Sequence, residues 1–250
     1  MSDDDKVLND LLKDKLEDVG ITPKTSGVDE IVCIVDRSGS MNSMRADAEG
    51  GLNSFIEEQK KVGDANLTIV EFDTDVDVVC DQVNINEAAP YVLKPRGMTA
   101  LLDAIGMVIA EKEKYTTDTG KTIVVVMTDG DENSSREWKR DKIFSLINER
   151  KEEGWEFMFL AAGQDAISVG QSYGFDANST VSFADNGVGA THANAVASAY
   201  TSGLRTMSKS AALKSKSDYI MANADVLSET GEVGKDKLAD VVPDIISEKK

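Results

Sequence analysis

The chain has 250 residues, with 45 Asp and Glu against 27 Lys and Arg, which gives a formal net charge of −18 at pH 7. An acidic chain lacks the long-range attraction for nucleic acid or an anionic membrane surface, so we expect neither as a partner. Hydrophobic residues make up 41% of the sequence, a composition that excludes wholesale disorder and predicts a folded globular protein.

The sequence contains no recognisable signal for a membrane or for secretion. Its longest apolar runs, at residues 31–35 and 123–127, are far shorter than the ~20 residues of a membrane-spanning helix. The N-terminal residues are acidic and lack the basic and apolar regions of a secretory signal. We therefore expect a cytoplasmic protein in which Cys33 and Cys80 are free thiols.

Residues 1–20 predict a short amphipathic helix, and residues 21–27, which contain Pro23, predict a linker. Leucines recur in the first segment at helical spacing, and Gly20 ends the pattern. A helix of about 15 residues is marginal alone in water, so its apolar face is expected to pack on the main domain or on a partner.

Residues 28–208 alternate between apolar strands and amphipathic helices and predict one domain. Strands are predicted at residues 31–35, 67–72, 76–83, 122–128, 155–162 and 179–183, and helices at residues 51–62, 101–109, 138–150, 165–173 and 190–208. Buried strands separated by helices are typical of an α/β fold with a doubly wound, mostly parallel sheet. Residues 209–250 have weak periodicity and form a C-terminal segment without an assigned fold.

Hydroxyl and carboxylate side chains are found in three short segments beside the predicted strands and helices. Asp36, Ser38 and Ser40 follow the first strand, Thr99 precedes the helix at 101–109, and Asp129 follows the strand at 122–128. Loops beyond the carboxyl ends of parallel strands meet at one edge of an open sheet. All five side chains offer hard oxygen donors, which suit Mg²⁺, with Mn²⁺ as a substitute, better than zinc or copper.

These residues resemble the metal-ion-dependent adhesion site (MIDAS) of a von Willebrand factor A domain. Asp36, Ser38 and Ser40 match the D-x-S-x-S element, Thr99 the distant threonine, and Asp129 the aspartate of T-D-G. The resemblance covers roughly residues 28–208. The sequence around these motifs also resembles that of stand-alone intracellular A domains of bacteria and their phages. It implies a Rossmann-like fold with strand order 3-2-1-4-5-6 and one antiparallel edge strand.

Two acidic segments, at residues 73–77 and 129–133, begin like a calcium-binding loop. Both lack the glycine and the bidentate glutamate that such a loop needs further along. The first segment is expected to be a charged hairpin on an edge strand. Arg37 is expected to face away from the metal, either solvated or behind the ligands.

The resemblance implies a protein-binding module without enzymatic activity. Ser38, Ser40 and Thr99 would bind the ion directly and one or both aspartates through water, which leaves a position open for an Asp or Glu of another protein. Because the chain is acidic, that carboxylate is expected to project from a basic patch. Two alternatives stay open: a structural or assembly component of a phage particle or other large complex, and a Mg²⁺-dependent phosphatase with Asp36 as nucleophile. The phosphatase hypothesis is weakened because Ser38 stands where such enzymes have the second aspartate that they use as the acid.

Overall fold

The structure, a computed structural model, describes residues 27–116, 120–163 and 165–206, together with Lys214, Asp218 and Tyr219. The predicted N-terminal helix at 1–20, the linker up to residue 26 and nearly all of the segment 209–250 lie outside the described residues. The domain bounds at residues 28 and 208 stay predictions.

Six strands form one sheet in the order β3-β2-β1-β4-β5-β6. The strands are β1 (Asp29–Asp36), β2 (Ala65–Phe72), β3 (Val76–Asn84), β4 (Thr122–Thr128), β5 (Glu156–Ala162) and β6 (Thr180–Phe183). Within this sheet β3 pairs antiparallel with β2, and the other four pairs are parallel. The predicted α/β fold, its strand order and its antiparallel edge strand are confirmed.

Helices cover both faces of the sheet. They are α1 (Arg45–Val62), α2 (Leu101–Ala110), α3 (Lys112–Tyr115), α4 (Arg140–Glu152), α5 (Ala166–Tyr173) and α6 (Gly187–Thr206), with short 3-10 turns at Gly39–Met44, Ile85–Glu87 and Ala177–Ser179. None of the helices in the described part of the chain is long and apolar enough to cross a membrane.

The alternation of side chains along β1 divides the interior into two cores. Ile31 and Cys33 face the core that contains α1 and α6, whereas Val32 and Ile34 face the core that contains α2, α4 and α5. Both faces of the central strands are therefore buried. This explains why β1 and β4 contain continuous apolar runs in the sequence.

Helix α1 begins at Arg45, earlier than the start predicted at Gly51. Glycine has a low helix propensity, so the pair Gly50 and Gly51 looks like a boundary in the sequence. Gly51 is instead where α6 approaches α1: a Cβ atom added there would lie 2.6 Å from Asn194 Nδ2. Close packing of the two helices thus overrides the local propensity.

Helix α4 begins at Arg140 and not at the predicted residue 138. Trp138 packs its ring against Gly106 of α2, where an added Cβ would lie 2.2 Å from the indole Cδ2. The tryptophan therefore belongs to the loop that closes on α2. Helix α6 also begins earlier than predicted, at Gly187.

Both cysteines are free, as predicted. In the strand register Ile69 of β2 lies between Cys33 of β1 and Cys80 of β3. Two strand spacings of ~4.8 Å exceed the Cα separation that a disulfide allows. Burial raises the pKa of the Cys33 thiol, with a further contribution from Cys80.

Candidate metal centre

The five predicted ligand residues lie together at the carboxyl ends of the two central strands, β1 and β4. Ser38 Oγ and Ser40 Oγ are 2.9 Å apart, and Ser40 Oγ donates to Asp129 Oδ1 over 2.7 Å. A Cβ atom added to Gly130 would lie 3.4 Å from Thr99 Oγ1 and 3.6 Å from Ser40 Oγ. Gly130 thus allows the hydroxyls of Ser40 and Thr99 to lie close to the segment after β4.

Asp36, the last residue of β1, is fully buried and fixed by two hydrogen bonds. Its Oδ2 accepts from Thr128 Oγ1 at 2.6 Å, and its Oδ1 accepts from the Ser38 backbone amide at 2.6 Å. Burial raises the pKa of Asp36, and the hydrogen bonds from Thr128 and Ser38 oppose this shift. The Thr128 bond also joins β4 to β1, so the carboxylate has one defined orientation.

The segment after Asp129 holds the Thr99 segment by reciprocal hydrogen bonds. Asn133 Oδ1 accepts from the Thr99 amide at 2.9 Å, and the Asn133 amide donates to the Thr99 carbonyl at 3.0 Å. Glu132 accepts from the Leu102 amide in the first turn of α2 at 2.9 Å. These contacts fix Thr99 relative to Asp129, although the two are far apart in the sequence.

Asp129 carries the clearest electrostatic signal of the site. Burial raises its pKa to about 6, and the nearby charges of Asp36 and Asp185 add to the shift against a hydrogen bond from Ser40. Its Oδ2 atom is buried and has no hydrogen-bond partner among the described residues. A buried carboxylate oxygen without a hydrogen-bond donor raises the free energy of the folded state unless a cation or a proton binds to it.

The donor set fits a hard divalent cation. Two carboxylates can balance the charge of one such ion, and three hydroxyl oxygens can complete its contacts with the protein. In the described part of the chain no three His, Cys, Asp or Glu side chains cluster as a metal site. The candidate centre therefore depends on its serine and threonine oxygens as much as on its carboxylates.

Arg37 does face away from the five ligand residues, but it is not solvated. Only 7% of the residue is exposed, and its guanidinium group donates to carboxylates of β2 and the β2–β3 hairpin. The hairpin at residues 73–77 is present at the edge of the sheet, as expected, yet Asp73 is buried. Sequence reasoning missed this ion-pair cluster because its members are distant in the chain.

Solved structures of low sequence identity share the fold. A von Willebrand factor type A protein from Catenulispora acidiphila matches with a TM-score of 0.53 at 14% identity, over 72% of this chain and 44% of that chain. Proximal thread matrix protein 1 from the mussel byssus, solved with a zinc-occupied MIDAS motif, matches with a TM-score of 0.54 at 15% identity, over 69% of this chain and 47% of that one. The chain has the von Willebrand factor A fold.

This A-domain fold spans less than half the length of both of those solved chains. The pilus adhesin SpaC from Lactobacillus rhamnosus GG also matches, with a TM-score of 0.56 at 13% identity, over 71% of this chain and 30% of that chain. No protein-family model and no curated protein sequence matches the chain.

The A-domain topology explains why these loops meet. The order in which strands are added to the sheet reverses between β1 and β4. Strands β2 and β3 lie on one side of β1, and β4, β5 and β6 lie on the other. The connections after the two strands therefore leave a crevice at their carboxyl ends, the usual ligand site of open α/β sheets. Asp36 and Asp129 lie at this point of the sheet.

Proposed function

We propose that the protein is a divalent-metal-dependent protein-binding module. Asp36, Ser38, Ser40, Thr99 and Asp129 would hold Mg²⁺, with Mn²⁺ as a substitute. When bound, the ion would supply an electrophilic position for an Asp or Glu side chain of a partner protein. The observation that carries this proposal is the unpartnered, buried Oδ2 of Asp129 beside the carboxylate of Asp36.

The chemistry of the donors and one structural relative support the metal. Carboxylate and hydroxyl oxygens without His or Cys favour Mg²⁺ or Mn²⁺ over zinc. The mussel protein of the same fold has a MIDAS motif that accepts a divalent ion, zinc in its solved structure. That relative supports a divalent ion, and the donor set of this chain favours magnesium.

The surroundings of the site support a protein partner. Ser40 is exposed, so the site is open to solvent on one side. Met98, next to Thr99, is about half exposed, and so is Val188, which follows three residues after Asp185, whose charge acts on Asp129. In an interface, such side chains beside the open metal position would exclude water around the charged contact.

The geometry gives less support to the phosphatase alternative. An aspartyl phosphatase mechanism with Asp36 as nucleophile needs a second acid nearby to protonate the leaving group. Position 38 is a serine, and its hydroxyl is hydrogen-bonded to Ser40. We therefore propose binding without chemical turnover.

Metal titration tests the proposal directly. Isothermal calorimetry with Mg²⁺ and Mn²⁺ is expected to show binding to the wild type and its loss in the Asp36→Ala and Asp129→Ala variants. Since the assembled site exists only in the folded state, saturating metal is also expected to raise the melting temperature, equivalent to ~2.7 kcal/mol at 100 times Kd. Asp131→Ala, an exposed carboxylate in the same loop, is the matched control and is expected to bind like the wild type.

Equal divalent binding to the wild type and both alanine variants would contradict the assignment of the site. The partner is tested by retention from a lysate of the source cell on immobilised protein, in Mg²⁺ and in EDTA. A partner retained equally by the wild type and the Asp129→Ala variant would argue against metal-dependent binding.

A further inference from the structure

Arg37 directly follows Asp36 and forms three ion pairs with carboxylates. Its Nε donates to Asp73 Oδ2 at 2.7 Å and its Nη1 to Glu71 Oε2 at 2.8 Å, while Nη2 donates to Asp77. Its Nε and both Nη nitrogens are thus engaged, although the residue lies one position from a predicted metal ligand. The side chain therefore ties the loop after β1 to β2 and to the β2–β3 hairpin.

A second arginine, Arg96, meets the first at the same carboxylate. Arg96 Nε donates to Asp73 Oδ2 at 2.6 Å, and the Arg96 backbone amide donates to the Arg37 carbonyl at 2.6 Å. One oxygen of Asp73 is thus shared by two guanidinium groups. We call Arg37, Arg96, Glu71, Asp73 and Asp77 the arginine–carboxylate cluster.

The cluster also contacts the segment that carries Thr99. The Asp73 carbonyl accepts from the Ala100 amide at 2.7 Å. Gly97 has φ +70°, and a Cβ there would lie 3.2 Å from Asp73 Cβ, so the backbone lies directly against the hairpin. The Gly97 carbonyl accepts from the Gly39 amide at 3.2 Å, which joins the two ligand-bearing segments.

The charges of the cluster are compatible with a cation nearby. Two guanidinium groups are matched by three carboxylates, so the cluster does not add net positive charge behind the metal site. Glu71 is further held by Tyr91, whose hydroxyl donates to Oε1 at 2.7 Å. The cluster can therefore hold the loops without repelling the ion.

We propose that Arg37 is a positioning residue of the metal site, acting with Arg96 through Asp73 to fix residues 36–40 relative to residues 97–100. This inference rests on the proposed function. The planar guanidinium fork can bind three carboxylates at once, whereas a lysine ammonium offers one charged group with no fixed geometry. Loss of the fork would let the hydroxyls of Ser38 and Ser40 move relative to that of Thr99.

The test compares Arg37→Lys with Arg205→Lys. Arg205 is a matched control because it is also buried and its Nε donates to Asp29 Oδ2 at 2.9 Å. Asp29 begins β1 and Asp36 ends it, so the control lies about 23 Å from the site along the strand. Both variants replace a buried guanidinium group that holds a carboxylate by an ammonium group of different geometry, and both are expected to lower the free energy of unfolding.

Two measurements separate positioning from general stability. Calorimetry is expected to show that Arg37→Lys weakens Mg²⁺ binding by about tenfold or more, the usual effect of losing a group that orients metal ligands, while Arg205→Lys binds like the wild type. Hydrogen exchange of the metal-free protein is expected to show that Arg37→Lys speeds exchange at Gly39 and Ala100 more than at the amides of β4, whose change follows only the loss of global stability.

Arg96→Gln provides a second variant should Arg37→Lys fail to fold, since the Arg96 side chain is mostly exposed. It is expected to weaken Mg²⁺ binding several-fold. Wild-type affinity and exchange in a folded Arg37→Lys or Arg96→Gln variant would overturn the inference, as would equal weakening by Arg205→Lys. A wild type that binds no divalent ion would instead contradict the proposed function, and the exchange data would still decide whether Arg37 fixes the two segments.

Discussion

Three charged side chains in the described part of the chain have a buried atom without a hydrogen-bond partner, namely Glu30 Oε2, Arg150 Nε and Asp129 Oδ2, and only the last of them lies at the candidate site. Asp36 accepts from Thr128 and from a backbone amide, and Asp29 accepts from Arg205. Asp129 Oδ2 is buried without a donor in the described residues. Because an uncompensated buried carboxylate destabilises a fold, its presence at the end of β4 is consistent with a bound cation.

The lowered pKa of Asp73 predicts how the stability of the protein changes in acid. Burial alone would raise its pKa, but hydrogen bonds from Arg96, from the Asp75 amide and from Arg37 lower it below the ordinary value. A depressed carboxylate pKa contributes stability that is present above the unfolded pKa of ~3.9 and is lost as the pH falls towards the folded pKa. Urea unfolding of metal-free protein between pH 7 and pH 3 is expected to show a steeper loss below about pH 4 for the wild type than for Asp73→Asn. Parallel curves for the two proteins would contradict this role.

At the scale of elements, Gly51 allows α1 to approach the side chain of Asn194 on α6 closely. Gly51 is buried at the contact, and the neighbouring Gly50 is exposed on the same helix. A Cβ at Gly51 would meet the side chain of Asn194, whose Nδ2 already donates to the Ala190 carbonyl at 2.9 Å. No atom lies within 4 Å of a Cβ at Gly50.

The two glycines therefore predict opposite effects of the same substitution. Gly51→Ala is expected to destabilise the fold by about 1–2 kcal/mol, because the added methyl group overpacks the contact between helices. Gly50→Ala is expected to stabilise it by about 0.5–1 kcal/mol, because alanine restricts the unfolded chain and favours the helix. Denaturant unfolding of both variants measures the difference. A stabilising Gly51→Ala would show that α6 can move away from α1 at little cost.

At the scale of the whole molecule, the net charge of −18 bears on how a partner arrives. A partner carboxylate and an acidic protein repel at long range, although screening limits this repulsion to ~8 Å at physiological ionic strength. The proposed solution is a carboxylate that projects from a basic patch, because the patch gives attraction at a distance and the carboxylate gives contact with the metal.

Association with an identified partner is therefore expected to slow as salt concentration rises, while dissociation is expected to depend mainly on the metal. Stopped-flow kinetics across a range of NaCl concentrations, with and without EDTA, provides the measurement. An association rate that increases with ionic strength would contradict the basic patch, and a complex unaffected by EDTA would favour a structural assembly role.

The sequence alone determined the strand pattern and the residues of the candidate site. Strands buried on both faces give apolar runs, such as β1 and β4, that are visible without tertiary information. Asp36, Ser38 and Ser40 lie close together in the chain, and Thr99 and Asp129 each adjoin a predicted strand or helix. Their shared oxygen chemistry could therefore be recognised from local segments.

Only the tertiary structure decided which residues hold those segments in place. Arg37 binds carboxylates that are 34 to 40 residues away, and Asn133 binds Thr99 across 34 residues. Gly51 is found inside helix α1, where glycine is unfavourable, and Asn194 of α6 leaves no room there for a side chain. Such pairings depend on which elements become neighbours in the sheet and between helices, and a local pattern of residue types carries no information about that.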